Sequence, residues 1–436
     1  MDLPRPFHSL TRGARLLSRR EIFGAGVRAA AGLAVASPLL DLLCRQAFAQ
    51  AALPAGDRKS LILLWLDGGP SQLDTFDPKP GAPTQGPYQV LPTEISGWQM
   101  GEHLPRLATR APRFSLIRTM TSKEGAHARA RQLLHTGYLP LPSVSFPMLG
   151  SIVAHENGDL DADLPAFVQV GGMPSNGGYL GPSCAPFILD PTTRRIENLA
   201  YRHGVDAAHL ERREELRSLL EEEFATGAAK SAASEEAVHR ARARRLMDSK
   251  LIRAFETREE SAAVRERFGK GNFGQGVLLA RRLVEAGVAA VEVVLEGWDT
   301  HTDNFARTQP LCSELDAAFA ALIDDLDERG LADRTLVVCM GEFGRTPRIN
   351  SANGRDHWPQ SYCVALAGCG VKPGVVVGTT DETGEHTISR PVSVADLYAT
   401  LARLLAIRGE REFPTPSQRP VKLVDPAGVA VGELLA

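Results

Sequence analysis

Short, nearly unbroken apolar runs constrain this chain more than any other feature. Residues 60–66 (SLILLWL), 289–295 (AAVEVVL) and 335–340 (TLVVCM) have strand length but lack the alternation of a strand with one wet face. Such runs suit strands buried on both faces of a sheet. Residues 114–118 and 166–170 are shorter runs of the same kind. Helix-spaced segments fall between them, at about 126–135 and 313–328. A further helix through Leu405 is opened by Ser393 with Asp396 three residues on, the pattern of a capping box. Strands interleaved with helices predict an α/β fold: a doubly wound, mainly parallel sheet with helices on both faces. In such sheets ligands gather beyond the carboxyl ends of the strands.

Those ends carry the chemistry-bearing residues. The first run ends at Asp67-Gly68-Gly69; the fourth enters Trp298-Asp299-Thr300-His301; the last enters Gly341-Glu342-Phe343-Gly344-Arg345, with Gly354-Arg355-Asp356-His357-Trp358 soon after. Carboxylate and imidazole together suit zinc or manganese, or magnesium and calcium where histidines are fewer. The two-residue spacing of Asp299 and His301 lets both side chains point the same way from an extended loop. Each residue also has a plainer reading. Asp67 before two glycines suits a turn, Glu342 and Arg345 suit a buried ion pair, and Asp74 and Asp77 suit a turn before Pro78. Asp356 and His357 beside Trp358 are the pair on which a metal reading leans most.

Other motifs fall away. Gly269, Gly271 and Gly274 spell G-x-G-x-x-G, but a charged helix precedes them where a dinucleotide site needs a buried strand. The chain has no P-loop and no G-x-S-x-G nucleophile elbow. Its 436 residues are 43% hydrophobic and 23% charged with net charge −3, which points to neither a nucleic-acid-binding surface nor disorder. Six cysteines without C-x-x-C spacing argue against a disulfide scaffold or zinc knuckle; one pair is expected at most. Residues 206–269, rich in Ala, Arg and Glu, read as a helical insertion of two or more helices joined near 226–234. It is placed to cap the site from the side.

The amino-terminal region reads as an address. Arg19-Arg20 precede an Ala/Gly-rich apolar segment, and Ala47-Phe48-Ala49 offers a small-residue cleavage site. This is the order of a twin-arginine signal over residues 1–49, predicting a folded domain over 58–436 in the periplasm or outside the cell. Arg28 and Asp41 weigh against a retained membrane span, since a charge at mid-membrane costs about 2.5–3.5 kcal/mol.

The segment Asp67-Gly68-Gly69-Pro70-Ser71-Gln72-Leu73-Asp74-Thr75-Phe76-Asp77-Pro78-Lys79-Pro80 resembles the opening motif of the domain-of-unknown-function 1501 family. So do Glu102-His103-Leu104-Pro105, Gly297 to His301, Gly341 to Pro347 with Asn350, and Gly354 to Pro359. The family is similar to the alkaline phosphatase and sulfatase superfamily. The resemblance therefore implies an alkaline-phosphatase-like sheet and a hydrolase of phosphate or related anionic esters, with divalent metal ions and an in-line hydroxyl nucleophile. By order in the chain it implies Asp67, Asp299, His301, Glu342, Asp356 and His357 as ligands, with Phe343 where the superfamily has an imidazole. It places the nucleophile in the loop after the second strand, where Thr121 and Ser122 are the hydroxyls and His127 is a ligand, general acid or helix-start residue. Arg118, Lys123, Arg345 and Arg355 would stabilise the transferring group. Formylglycine chemistry is not implied, because Cys184-Ala185-Pro186 lacks the following Arg and lies elsewhere in the chain. The alternatives are a catalytically degenerate member that binds a ligand or secreted protein, and an anchored envelope component whose signal is retained.

Overall fold

The computed structural model describes residues 58–436 except 174, 194–204, 225–227 and 416–419. The expected signal and Cys44 lie outside the described residues. The central strand is β1 (Ser60–Asp67). It is flanked in parallel by Ala290–Glu296 on one side and Thr335–Met340 on the other, with Leu64 opposite both Val293 and Cys339. In chain order the sheet strands are β1, β2 (Ser115–Thr121), β3 (Phe167–Val170), β4 (Phe187–Leu189), β5 (Ala290–Glu296), β6 (Thr335–Met340), β7 (Tyr362–Ala367), β8 (Val376–Val377) and β9 (Val392–Ser393). Across the sheet they run β8-β2-β7-β6-β1-β5-β3-β4, with β9 beside β2. All pairings are parallel except those of β7, which runs against both β2 and β6.

Alternate residues of β1 serve opposite cores. Ile62, Leu64 and Leu66 pack with helices Asn272–Glu285 and Asn304–Glu328 on one face. Leu61, Leu63 and Trp65 pack with α1 (His127–Thr136), Leu149–Asn157 and Val394–Leu404 on the other. The run has no polar side because neither face is wet. Truncating Leu64, wholly buried, would open a cavity worth about 2–5 kcal/mol. The capping box at Ser393 and Asp396 is formed in both directions.

Two expectations change, the start of one helix and the placement of the insertion. The helix expected from 313 begins at Asn304 and carries Pro310 inside it. The carbonyl left without a helical donor belongs to exposed Ala306, within reach of water. No cysteine pair forms among the described residues, where Cys184, Cys312, Cys339, Cys363 and Cys369 are free and buried. The insertion forms Ala207–Phe224 and Ala228–Asp248, so the second helix starts inside the stretch expected to join them. Its arginines dock at the sheet's edge rather than over the candidate ligands: Arg242 donates to the Pro182 carbonyl at 3.0 Å and Arg245 to the Leu160 carbonyl at 3.1 Å. The glycine-rich stretch is the cap of a helix, with Gly271 at its amino end. No helix among the described residues is long and apolar enough to cross a membrane.

Candidate metal centre

The carboxyl ends of β1, β2, β5 and β6 all open on one edge of the sheet. Antiparallel β7 starts at that same edge, so the segment entering it, His357–Trp358, arrives beside the loops that leave the others. His357–Trp358 forms a two-stranded ribbon with Gly344–Arg345, which sets His357 directly opposite Arg345. Close approach of the loops depends on glycine: a side chain at Gly68, whose φ is +110°, would collide with the backbone nitrogen of Asp299.

Three imidazoles converge on Asp299. Its Oδ1 lies 3.3 Å from His127 Nε2, 3.1 Å from His301 Nε2 and 3.4 Å from His357 Nε2. His127, Asp299 and His357 form a group able to hold a metal ion. The other nitrogen of each ring is tied down. His127 Nδ1 bonds Glu342 Oε1 at 2.7 Å, His301 Nδ1 bonds Asp356 Oδ1 at 2.6 Å, and His357 Nδ1 donates to the Gly125 carbonyl at 2.7 Å. Because a carbonyl only accepts, His357 presents an unprotonated Nε2 when neutral. Burial holds its imidazole below the ordinary histidine range, with the charge of Arg345 adding to the effect.

A divalent ion fits these residues. His127 Nε2 is buried without a hydrogen-bond partner among the described residues, although it faces Asp299. Metal-binding histidines are commonly oriented by an acceptor on the second nitrogen, the arrangement seen here for all three rings. The hydrogen bond to Glu342 raises the His127 pKa, so a metal there competes with a proton. Asp299 is ready as an anion. Partial burial pushes its carboxyl up, but the hydrogen bond and charge of Arg345, with His127 and His301, hold it at about 2.

Several expected roles move. Glu342 does not pair with Arg345; wholly buried, it accepts from His127 and from the Gly68 backbone N–H, so it stands behind an imidazole. Arg345 instead bonds Asp299 Oδ1 at 2.6 Å and the Gly68, Gly69 and Arg355 carbonyls, so its donors are committed. Asp67 is set apart from the three-residue group. Arg131 grips both its oxygens at 2.8 and 3.0 Å, and Trp65 Nε1 donates to Oδ1. Asp356 reaches the group through His301, its own carboxyl held low by that hydrogen bond.

Thr121 Oγ1 lies 3.5 Å from the Val392 carbonyl, and Ser122 Oγ turns to the backbone of Glu124. Arg355 is not available to a substrate: it forms a wholly buried pair with Asp74, 2.9 Å apart. Arg118 is likewise held by Asp77 at 3.1 Å, whereas Lys123 is exposed. Phe343, where the superfamily resemblance calls for an imidazole, lies 4.5 Å from the His357 ring and 4.9 Å from that of His127, between centroids, and lends the centre an apolar wall. Arg131 was missed by sequence reasoning; its i+4 spacing from His127 on one helix face was the signal available.

The chain is similar to a sulfatase from Pseudoalteromonas sp., with 14% identity and a TM-score of 0.42 over 90% of this chain and 74% of the other. It is also similar to a protein of the alkaline phosphatase superfamily from Vibrio parahaemolyticus, with 10% identity and a TM-score of 0.36 over 81% and 67%. The C-terminal periplasmic domain of EcEptC from Escherichia coli, in complex with zinc, shares 11% identity and a TM-score of 0.37 over 85% and 87%. No curated protein sequence matches the chain. The family model described as Protein of unknown function (DUF1501) matches residues 58–435, and the chain belongs to that family.

Proposed function

We propose that the protein is an exported, metal-dependent hydrolase of phosphate or related anionic esters. The observation that carries this reading is the convergence of His127, His301 and His357 on Asp299, each ring held by its far nitrogen. His127, Asp299 and His357 would hold a divalent ion, and their nitrogen–oxygen donor set favours zinc or manganese. Such an ion, when bound, supplies Lewis-acid polarisation of an ester oxygen.

The chain's own groups do the rest. Arg345 fixes Asp299 and lends positive charge behind it. His301 has the most exposed side chain of the three imidazoles, at 42%. With Nδ1 donated to Asp356, it turns Nε2 inward, 2.9 Å from the unprotonated Nε2 of His357 and 3.1 Å from Asp299 Oδ1, and is placed there to hold a proton for the leaving oxygen. Water is the nucleophile in this reading because the Thr121 and Ser122 hydroxyls are turned to backbone atoms elsewhere. Export through the twin-arginine machinery is supported by Arg19-Arg20 and the segment after them.

The short Arg345–Asp299 pair also favours a second reading, in which the protein binds a ligand or secreted protein without turnover. One experiment separates the two. Metal content and hydrolysis of aryl phosphate and aryl sulfate are measured on protein purified without chelators, beside Asp299→Ala/His357→Ala. Near-stoichiometric metal with turnover, both lost in the variant, supports the hydrolase. Metal without turnover supports the second reading. Absence of metal after incubation with zinc and with manganese overturns the metal centre itself.

A further inference from the structure

A cavity of about 280 Å³ opens where β1, β3 and β5 meet α1, lined by Trp65, Asp67, Arg131, His135, Gln169 and Glu292 among others. Glu292 is out of keeping with its strand. It sits in the middle of β5 at 2% exposure, on the face where Ala290 and Val294 join the apolar core. His135 accounts for one of its oxygens. His135 Nδ1 donates to the Arg131 carbonyl at 2.9 Å, so the ring meets Glu292 Oε1 at 3.2 Å through a second N–H, as an imidazolium. Gln169 Nε2 also leans on Oε1, at 3.5 Å, and donates to the Met173 carbonyl at 3.3 Å.

That arrangement leaves acceptors over. Glu292 Oε2 and Gln169 Oε1 are buried, belong to residues that line the cavity, and have no hydrogen-bond partner among the described residues. Ser175 Oγ, on the same wall, is in the same position. An unsatisfied buried polar atom costs about 1–3 kcal/mol, and two from adjacent strands facing one space mark a place for a donor. The neighbouring donors are committed: Arg131 to Asp67, His135 to Glu292, and the Gln169 amide to Met173. The charges lean the same way. Asp67 pairs with Arg131 and Glu292 with His135, while Glu296 at the rim has no ion-pair partner among the described residues.

We propose that this cavity binds a protonated primary amine, its N–H groups directed at Glu292 Oε2 and Gln169 Oε1. Resting on the hydrolase reading, the amine belongs to the alcohol side of the ester, so the substrate class is an aminoalkyl ester. Arg131 links the two places: it grips Asp67 at the cavity, and its Nη2 lies 3.8 Å from Glu342 Oε1, the acceptor of His127.

The test is calorimetric titration near pH 7 with ethanolamine and propylamine, against glycerol and propanol, on wild-type protein, Glu292→Gln and Gln169→Leu. Both amines should bind at least tenfold tighter than glycerol or propanol, and both variants should lose that preference while keeping the metal content of the wild type. Gln169→Leu serves where Glu292→Gln does not fold, since it removes an acceptor and leaves the Glu292 carboxylate and its bond to His135 in place. Amines that bind no better than the alcohols, or as well to the folded variants as to wild type, overturn the proposal. The amine site and the hydrolase reading fail separately. Amine binding by a protein that takes up no metal sinks only the ester assignment, and turnover without amine selectivity sinks only the cavity.

Discussion

His127 and His135 lie eight residues apart on one helix, each bonded to a buried glutamate, and they leave opposite things open. At the first helical position there is no preceding turn to offer a carbonyl, so His127 finds its acceptor across the fold in Glu342 and keeps Nε2 free toward Asp299. Two turns further in, a carbonyl four residues back is within reach, and His135 spends Nδ1 on Arg131 and Nε2 on Glu292. The first pair therefore leaves a nitrogen for a ligand, and the second leaves a carboxylate oxygen. Position along the helix, with residue type held constant, decides which.

The comparison breaks if the two histidines respond alike to substitution. His135→Ala strands Glu292 as an unpaired buried charge and should cost about 3–5 kcal/mol, read as a shifted denaturant midpoint, with metal stoichiometry kept. The same pair sets a pH dependence. Burial pushes the His135 imidazole down, but the charge and hydrogen bond of Glu292, with smaller help from Arg131 and Glu342, outweigh it and raise its pKa in the fold. The pair's contribution is then fully present below the unfolded histidine value, about 6.5, and is lost as pH rises through the higher folded value. Wild type minus His135→Ala stability, measured on metal-free protein across that range, should shrink with rising pH.

His127→Ala should do the reverse. It removes a ligand and should weaken metal binding by more than about 100-fold, beyond the range for an orienting partner, with a smaller loss of stability in metal-free protein than His135→Ala, because Glu342 keeps the Gly68 N–H. Glu342→Gln keeps the imidazole but weakens its acceptor, so metal affinity should fall by about 10–100-fold in competition with a chromogenic chelator. The smallest effect belongs to a residue remote from both pairs. Ser393→Ala breaks a capping box and should cost about 1 kcal/mol in denaturant unfolding, leaving metal content and amine binding as they are.

Much of the frame was legible before any coordinates. The run at 60–66 became β1 and that at 335–340 became β6 because strands buried on both faces need nothing but local hydrophobicity to announce themselves. The capping box at Ser393 was legible for a like reason: its partners are three residues apart. Tyr362–Ala367 was not picked out. It is a short run whose importance lies in its antiparallel direction, which no local pattern encodes. In the centre, Asp299, His301, Asp356 and His357 were visible as polar residues in loops leaving apolar strands. The partnership of Glu342 was not, because as a ligand, as half of an ion pair with Arg345 or as the acceptor of an imidazole it has the same local sequence.

By itself, then, the sequence determined the central parallel strands, their order along the chain and the edge of the sheet where polar loops collect, because each depends on periodicity and turn chemistry within a few residues. Tertiary structure alone decided which nitrogen of each histidine faces inward, why Arg355 is spent on Asp74, and why Glu292 keeps an oxygen open. Those outcomes rest on contacts such as His127 with Glu342, 215 residues away, and His135 with Glu292, 157 away. In a dry interior each polar atom must find whatever partner the packing brings to it, and the packing is a property of the whole fold.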